Sequence, residues 1–86
     1  MILYLISLTM SKAEKLLQRM QSNPKADWTP EDVRTLCHAF GLTLRQRGTS
    51  HTVLTNSKGE HLTVPMHKSI KPLYIKRLIA LIEAAP

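Results

Sequence analysis

Apolar and polar residues alternate along this chain with two different periods, and the change between them divides the chain into elements. A helix is predicted over about residues 11–22, because Ser11 and Glu14 have the spacing of a capping box at its start. A second helix is predicted to begin with Thr29 as its cap and Pro30 in its first turn. The apolar positions at helical spacing are Leu16, Leu17 and Met20 in the first helix, and Val33, Leu36, Cys37 and Phe40 in the second.

After Gly41, a natural end for the second helix, the period changes from 3.6 to 2. Strands are predicted over residues 42–47, 51–56 and 60–64, with short glycine-containing turns between them. The turns are too short for parallel crossovers, so the strands should form an antiparallel meander. Pro72 then opens a last helix with a wide apolar face, which is expected to pack over the sheet.

The element order α-α-β-β-β-α predicts an α+β fold in which helices cover one face of a three-stranded antiparallel sheet. The opposite face should be open and lined by threonines, arginines and histidine. Residues 11–86 are expected to form one domain with a core over about 29–84, to which the helix at 11–22 is an addition. Residues 1–10 are an apolar extension, too short for the roughly 20 residues that span a bilayer.

Positive charge is concentrated in the second half of the chain. The formal net charge is +6, of which residues 1–40 contribute +1 (five Lys and Arg against four Asp and Glu) and residues 41–86 contribute +5 (seven against two). This distribution favours a polyanionic partner, with RNA or DNA ahead of a membrane. The alternative is an ordinary solvated basic surface.

The remaining composition excludes several function classes. Cys37 is the only cysteine, so no disulfide can form within the chain. A single cysteine fits a reducing cytoplasm. The thiol is expected to be buried on its helix. The sequence contains no P-loop, glycine-rich dinucleotide turn, paired-carboxylate site or Ser-His-Asp pattern. His51, His61 and His67 match no standard zinc spacing, and neither a metal nor another cofactor is expected.

Candidate chemistry, turn residues and charge converge in two short stretches. Gly48 and Ser50 precede His51 at the start of the second predicted strand, and Val64-Pro65 is followed closely by His67 and Lys68. Histidine can accept and return protons near neutral pH. The alternative for His51 is a strand-start histidine with one hydrogen bond; His67 could carry a second proton, contact phosphate or cap the loop.

These stretches resemble a known family. Gly48-x-Ser50-His51, the hairpin, Leu62-Thr63-Val64-Pro65-x-His67-Lys68 and Ile70-Lys71-Pro72 before an Ile/Leu-rich helix are similar to the HicA toxins, mRNA-cleaving members of bacterial type II toxin–antitoxin pairs. The resemblance covers about residues 30–83 and implies the double-stranded-RNA-binding-domain-like fold. Two features depart from the family pattern: Thr49 between Gly48 and Ser50, and the helix at 11–22.

The resemblance implies a metal-independent endoribonuclease that acts in the stress response. His51 matches the catalytic histidine, Gly48 and Ser50 would support it through their turn and amides, and a HicB-type antitoxin would block the site. The RNA contacts expected from charge and position are Arg45, Arg47, Gly48, Ser50, His67, Lys68 and Lys71. The alternative is a non-catalytic RNA-binding module on the same fold.

Overall fold

The computed structural model describes residues 11–48 and 50–85 and has the predicted α+β architecture. The elements are α1 (Lys12–Ser22), α2 (Pro30–Ala39), β1 (Thr43–Arg47), β2 (His51–Thr55), β3 (His61–Pro65) and α3 (Pro72–Ala84). Their order confirms the order predicted from the periods. The predicted apolar extension over residues 1–10 lies outside the described residues, as does Thr49.

The first two helices begin with the caps that the sequence predicts. Ser11 and Glu14 form a reciprocal capping box at α1. At α2 the same box forms with an aspartate: the Thr29 N–H donates to Asp32 Oδ2 (3.0 Å), and the Asp32 N–H donates to Thr29 Oγ1 (3.2 Å). These bonds satisfy backbone donors that have no partner within the helix.

The three strands form one antiparallel sheet in the order β1-β2-β3. Their limits differ by one residue from the predicted ones, and Pro65, predicted to follow the third strand, is its last residue. In the register, His51 lies opposite Arg47 on one side and opposite Pro65 on the other. Because side chains alternate between the two faces of a sheet, this register places all three residues on the same face.

The opposite face of the sheet packs on the helices and forms the core. Leu54 and Val64 are almost fully buried there, and α2 and α3 pack against the edge strands while α1 packs on both of these helices. Cys37 is fully buried, as expected, and desolvation raises the pKa of its thiol to about 12. Within the described residues, none of the helices has the length and apolar character needed to cross a membrane.

Candidate active site and nucleic-acid interface

His51 is fixed through its backbone while its side chain is exposed. It begins β2 between Arg47 and Pro65 of the two neighbouring strands. Just before it, the Ser50 carbonyl accepts a hydrogen bond from the Met66 N–H (2.6 Å), which extends the contact between β2 and the chain after β3. The backbone of His51 is therefore held from both sides, and the imidazole remains accessible to a ligand.

The segment that follows β3 returns towards His51. The His67 N–H donates to the Pro65 carbonyl (3.0 Å), a hydrogen bond that closes a tight three-residue turn. Further along, Ile70 is buried and its N–H donates to the Trp28 carbonyl (2.8 Å), while Ser69 Oγ donates to Asp27 Oδ1 (3.4 Å). This segment is thus attached to the chain that precedes α2.

A cleft of about 280 Å³ lies where β2, the end of β3 and the start of α3 meet. Its lining residues are His51, Pro65, His67, Ser69, Lys71 and Tyr74. The cleft therefore brings together two imidazoles and one ammonium group, which are side chains that can transfer protons and bind an RNA phosphate. We call this region the histidine cleft.

The start of α3 adds a second source of positive potential to the histidine cleft. Lys71 is the N-cap residue of α3 and Tyr74 lies in its first turn, so the amino-terminal end of this helix borders the cleft. The amino-terminal end of a helix carries a partial positive charge from aligned peptide dipoles. No acidic side chain lies in the first turn of α3 to offset this charge. The cleft is suited to an anion such as a phosphodiester.

The two arginines predicted to bind RNA lie on the outward face of the sheet instead of in the cleft. This open sheet face is a shallow concavity of about 460 Å³. Its lining residues are Thr43, Arg45, Arg47, Val53, Thr55, His61 and Thr63. Arg47 connects the two regions, because it lies opposite His51 in the β1–β2 register.

The other residues predicted to belong to the site, Gly48, Ser50 and Lys68, lie in three different environments. Gly48 is exposed in the turn before His51 with a φ of +66°, a backbone conformation that glycine adopts without strain. Ser50 is half-buried and contributes its carbonyl to the Met66 hydrogen bond. Lys68 is exposed but lines neither the histidine cleft nor the open sheet face. Its place among the RNA contacts therefore stays a prediction with no geometric support.

Sequence reasoning missed Ser69 and Tyr74 as lining residues of the cleft. The apolar face of the last helix includes Tyr74, which is half-buried because it packs against the core and also lines the cleft. The signal for Ser69 was its position between His67 and Lys71, two residues from each, with Ile70 as an apolar anchor. Among the described residues, no three His, Cys, Asp or Glu side chains are grouped closely enough to hold a metal ion.

Comparison with known proteins gives no additional support for any family. No protein-family model, curated protein or solved structure matches the chain significantly. The resemblance to HicA toxins therefore depends on the residues of the Gly48–His51 turn and of the segment from Leu62 to Pro72.

Proposed function

We propose that this protein is a metal-independent endoribonuclease of the HicA type, the toxin of a toxin–antitoxin pair. The observation that carries the proposal is the histidine cleft, where an exposed His51 shares one cavity with His67 and Lys71. Four of the residues that carry the resemblance to HicA toxins also line this cleft: His51, Pro65, His67 and Lys71. Sequence resemblance and local geometry thus favour the same catalytic residue.

The groups in the cleft match the requirements of RNA cleavage by internal transfer. His51 accepts the proton of the ribose 2′-OH as its oxygen attacks the adjacent phosphorus. The bond between phosphorus and the 5′-oxygen then breaks, and His67 donates a proton to that leaving oxygen. Lys71 and the amino-terminal end of α3 stabilise the charge on the phosphoryl oxygens. The products would be a 2′,3′-cyclic phosphate and a 5′-hydroxyl.

A HicB-type antitoxin is the protein partner that this proposal implies. The cleft is small and open to solvent, so a partner that covers His51 would prevent RNA from entering it. The partner can be sought in the small reading frame beside the gene. Its product should form a stable complex with the toxin on size-exclusion chromatography and should stop RNA cleavage when the two are present in equal amounts.

The direct test is cleavage of RNA in the presence of EDTA by the wild-type protein and by His51→Ala. The variant should lose about 10²-fold to 10⁴-fold in rate, the contribution typical of one general acid–base group. Its circular dichroism should be unchanged, because the imidazole is exposed. His38→Ala is the matched control, since His38 is an exposed histidine on α2 that does not line the cleft.

The same assay, applied to a second variant, tests the function of His67. His67→Ala should slow cleavage as well, and mapping of the product ends should give cyclic phosphates. Wild-type cleavage rates in His51→Ala would refute the assignment of His51. Cleavage that requires an added metal ion would refute the mechanism.

A non-catalytic RNA-binding module is the second candidate, and the open sheet face favours it specifically. Arg45 and Arg47 lie outside the cleft on a surface that needs no histidine chemistry to bind a phosphate backbone. Under this alternative, purified protein would bind RNA in a salt-sensitive manner without cutting it. Binding without any product after long incubation would select this candidate over the enzyme.

A further inference from the structure

The open sheet face and the histidine cleft form one continuous surface. The outward positions of the three strands follow from the register and all lie in the described part of the chain: Thr43, Arg45, Arg47, His51, Val53, Thr55, His61, Thr63 and Pro65. His51 and Pro65 at one end of this set also line the cleft. A chain bound in the cleft can therefore pass onto the sheet without crossing a ridge of helices.

We propose that the open sheet face is a second RNA subsite, which holds the phosphodiester backbone of the single strand that leaves the cleft. This inference rests on the proposed function, because it takes the cleft as the place where the scissile phosphate binds. It assigns a different property to the face: affinity and substrate length instead of chemistry. It also adds His61, on β3, to the surface that the RNA contacts.

Charge selects a polyanion as the occupant of this face. The outward positions of the described strands include two arginines and two histidines and not one acidic residue. Arg45 and Arg47 are both exposed, and neither guanidinium forms an ion pair within the described residues. Arginine donates hydrogen bonds in a planar fork that suits phosphate oxygens.

The strand register gives the path that a bound RNA strand would follow across the face and the length of that path. Arg47 is the neighbour of His51 across the β1–β2 pair, and Arg45 lies two residues further along β1, about 7 Å away at the usual rise per strand residue. From Pro65 to His61 the face extends four residues along β3, about 14 Å. A strand stacked as in duplex DNA rises about 3.4 Å per nucleotide, so this length accommodates at most about four nucleotides.

The side chains of the face predict binding without strong sequence preference. Its outward residues in the described strands include no Phe, Tyr or Trp, and the two imidazoles, of His51 and His61, lie at opposite ends of the face. Three threonines and Val53 fill the space between the charged groups, and long polar side chains that read base edges, such as Asn or Gln, are not among them. Contacts to phosphate fix position but do not read sequence. Tyr74 lines the cleft and offers a ring on which a base could stack there.

Binding of labelled RNA to His51→Ala protein tests the inference without interference from cleavage. Single-stranded oligonucleotides of three and of twelve nucleotides, in several sequences, are titrated by fluorescence anisotropy at a series of salt concentrations. Arg45→Gln in the His51→Ala background should weaken binding of the 12-mers about two- to tenfold, as expected for one charged contact. The slope of log K against log salt should fall by about 0.7, the value for one phosphate contact on a single strand.

Two further variants sharpen the test. Lys15→Gln makes the same change of charge on α1, in the helix layer away from the face, and should leave binding nearly unchanged. Thr63→Glu places a carboxylate at an exposed position in the middle of the face and should weaken the 12-mers at least as much as Arg45→Gln. Binding of the 3-mers should be weakened by Arg45→Gln and Thr63→Glu much less than binding of the 12-mers.

Three results would overturn the inference. Equal losses in Arg45→Gln and Lys15→Gln would mean that only the overall charge matters. Equal losses for the 3-mers and the 12-mers would place Arg45 in the cleft. Unchanged RNA binding in Arg45→Gln and Thr63→Glu would show that RNA does not occupy the face. A failure of the proposed function is distinguishable, since it appears as wild-type protein that binds RNA without cutting it.

Discussion

Asn56 joins the β2–β3 hairpin to the last helix, and its replacement gives the sharpest test of how this fold is held together. Its side chain is buried, with 5% of its surface exposed. The Asn56 Nδ2 group donates to the Leu81 carbonyl (3.1 Å) and to Glu60 Oε1 (3.0 Å), and Oδ1 accepts from the N–H groups of Lys58 and Glu60 (3.0 Å each). One amide thus closes the hairpin and satisfies a carbonyl near the end of α3.

The cost of Asn56→Ala follows from the environment of each partner. Lys58 and Glu60 are exposed, so water can replace the amide there at little cost. The hydrogen bond to Leu81 is buried, and an unpaired buried carbonyl costs about 1–3 kcal/mol. The weakened hairpin adds about 1 kcal/mol, so Asn56→Ala should lower the free energy of unfolding by about 2–4 kcal/mol. A chain of 86 residues has a total stability of about 4–13 kcal/mol, so this is a large fraction.

Urea denaturation followed through Trp28 measures this loss directly. Trp28 is the only tryptophan and is buried, so its fluorescence reports on the core. The midpoint should fall by at least about 1 M, given a slope of about 1–2 kcal/mol per molar urea, and the slope itself should not change. Ser57→Ala, in the same exposed loop, is the control and should shift the midpoint very little.

A second variant separates the donors of this amide from its acceptor. Asn56→Asp keeps an oxygen for the N–H groups of Lys58 and Glu60 but replaces the donor with an oxygen that faces the Leu81 carbonyl. It should therefore be destabilised at neutral pH by about 1–3 kcal/mol. An Asn56→Asp protein as stable as the wild type, or an Asn56→Ala midpoint equal to that of Ser57→Ala, would refute the reasoning.

Two other predictions concern the thiol and the turn before the candidate catalytic residue. Cys37 is fully buried and its thiol pKa is raised to about 12, so a thiol reagent at pH 8 should modify it only as fast as the protein unfolds; rapid modification without urea would contradict this burial. Gly48→Ala and Gly59→Ala should each cost about 1–2 kcal/mol in urea denaturation, because both glycines have positive φ (66° and 83°). Only Gly48→Ala should also slow RNA cleavage, since Gly59 lies in the other hairpin loop; equal effects on cleavage would show that the turn before His51 has no special influence.

Most of the fold could be predicted because its signals are local. The capping box at Ser11 and the proline after Thr29 mark helix starts within four residues of sequence, and the structure has both helices there. The change of period after Gly41 likewise locates the sheet. Strand limits were off by one residue because pairing, which ends a strand, depends on the neighbouring strand: Pro65 belongs to β3 since it lies opposite His51.

The candidate site could be predicted only in part, because its shape depends on contacts between distant residues. His51 was identified from its own turn. The choice between Lys68 and Ser69 as a lining residue depends instead on the orientation of the segment after β3. That orientation is set where the Ile70 N–H meets the Trp28 carbonyl, a contact across 42 residues of chain for which the sequence pattern offers no local sign.

The anchoring of this segment explains why the cleft can be tested by substitution. Ile70 and Trp28 are both core residues, so the backbone that carries His67 and Lys71 is fixed by the core. The side chains that line the cleft from this segment are exposed. Exposed side chains on a fixed backbone contribute little to stability. A loss of cleavage on replacing His67 or Lys71 would therefore report on binding or chemistry, whereas the same loss on replacing Ile70 would also reflect a displaced segment.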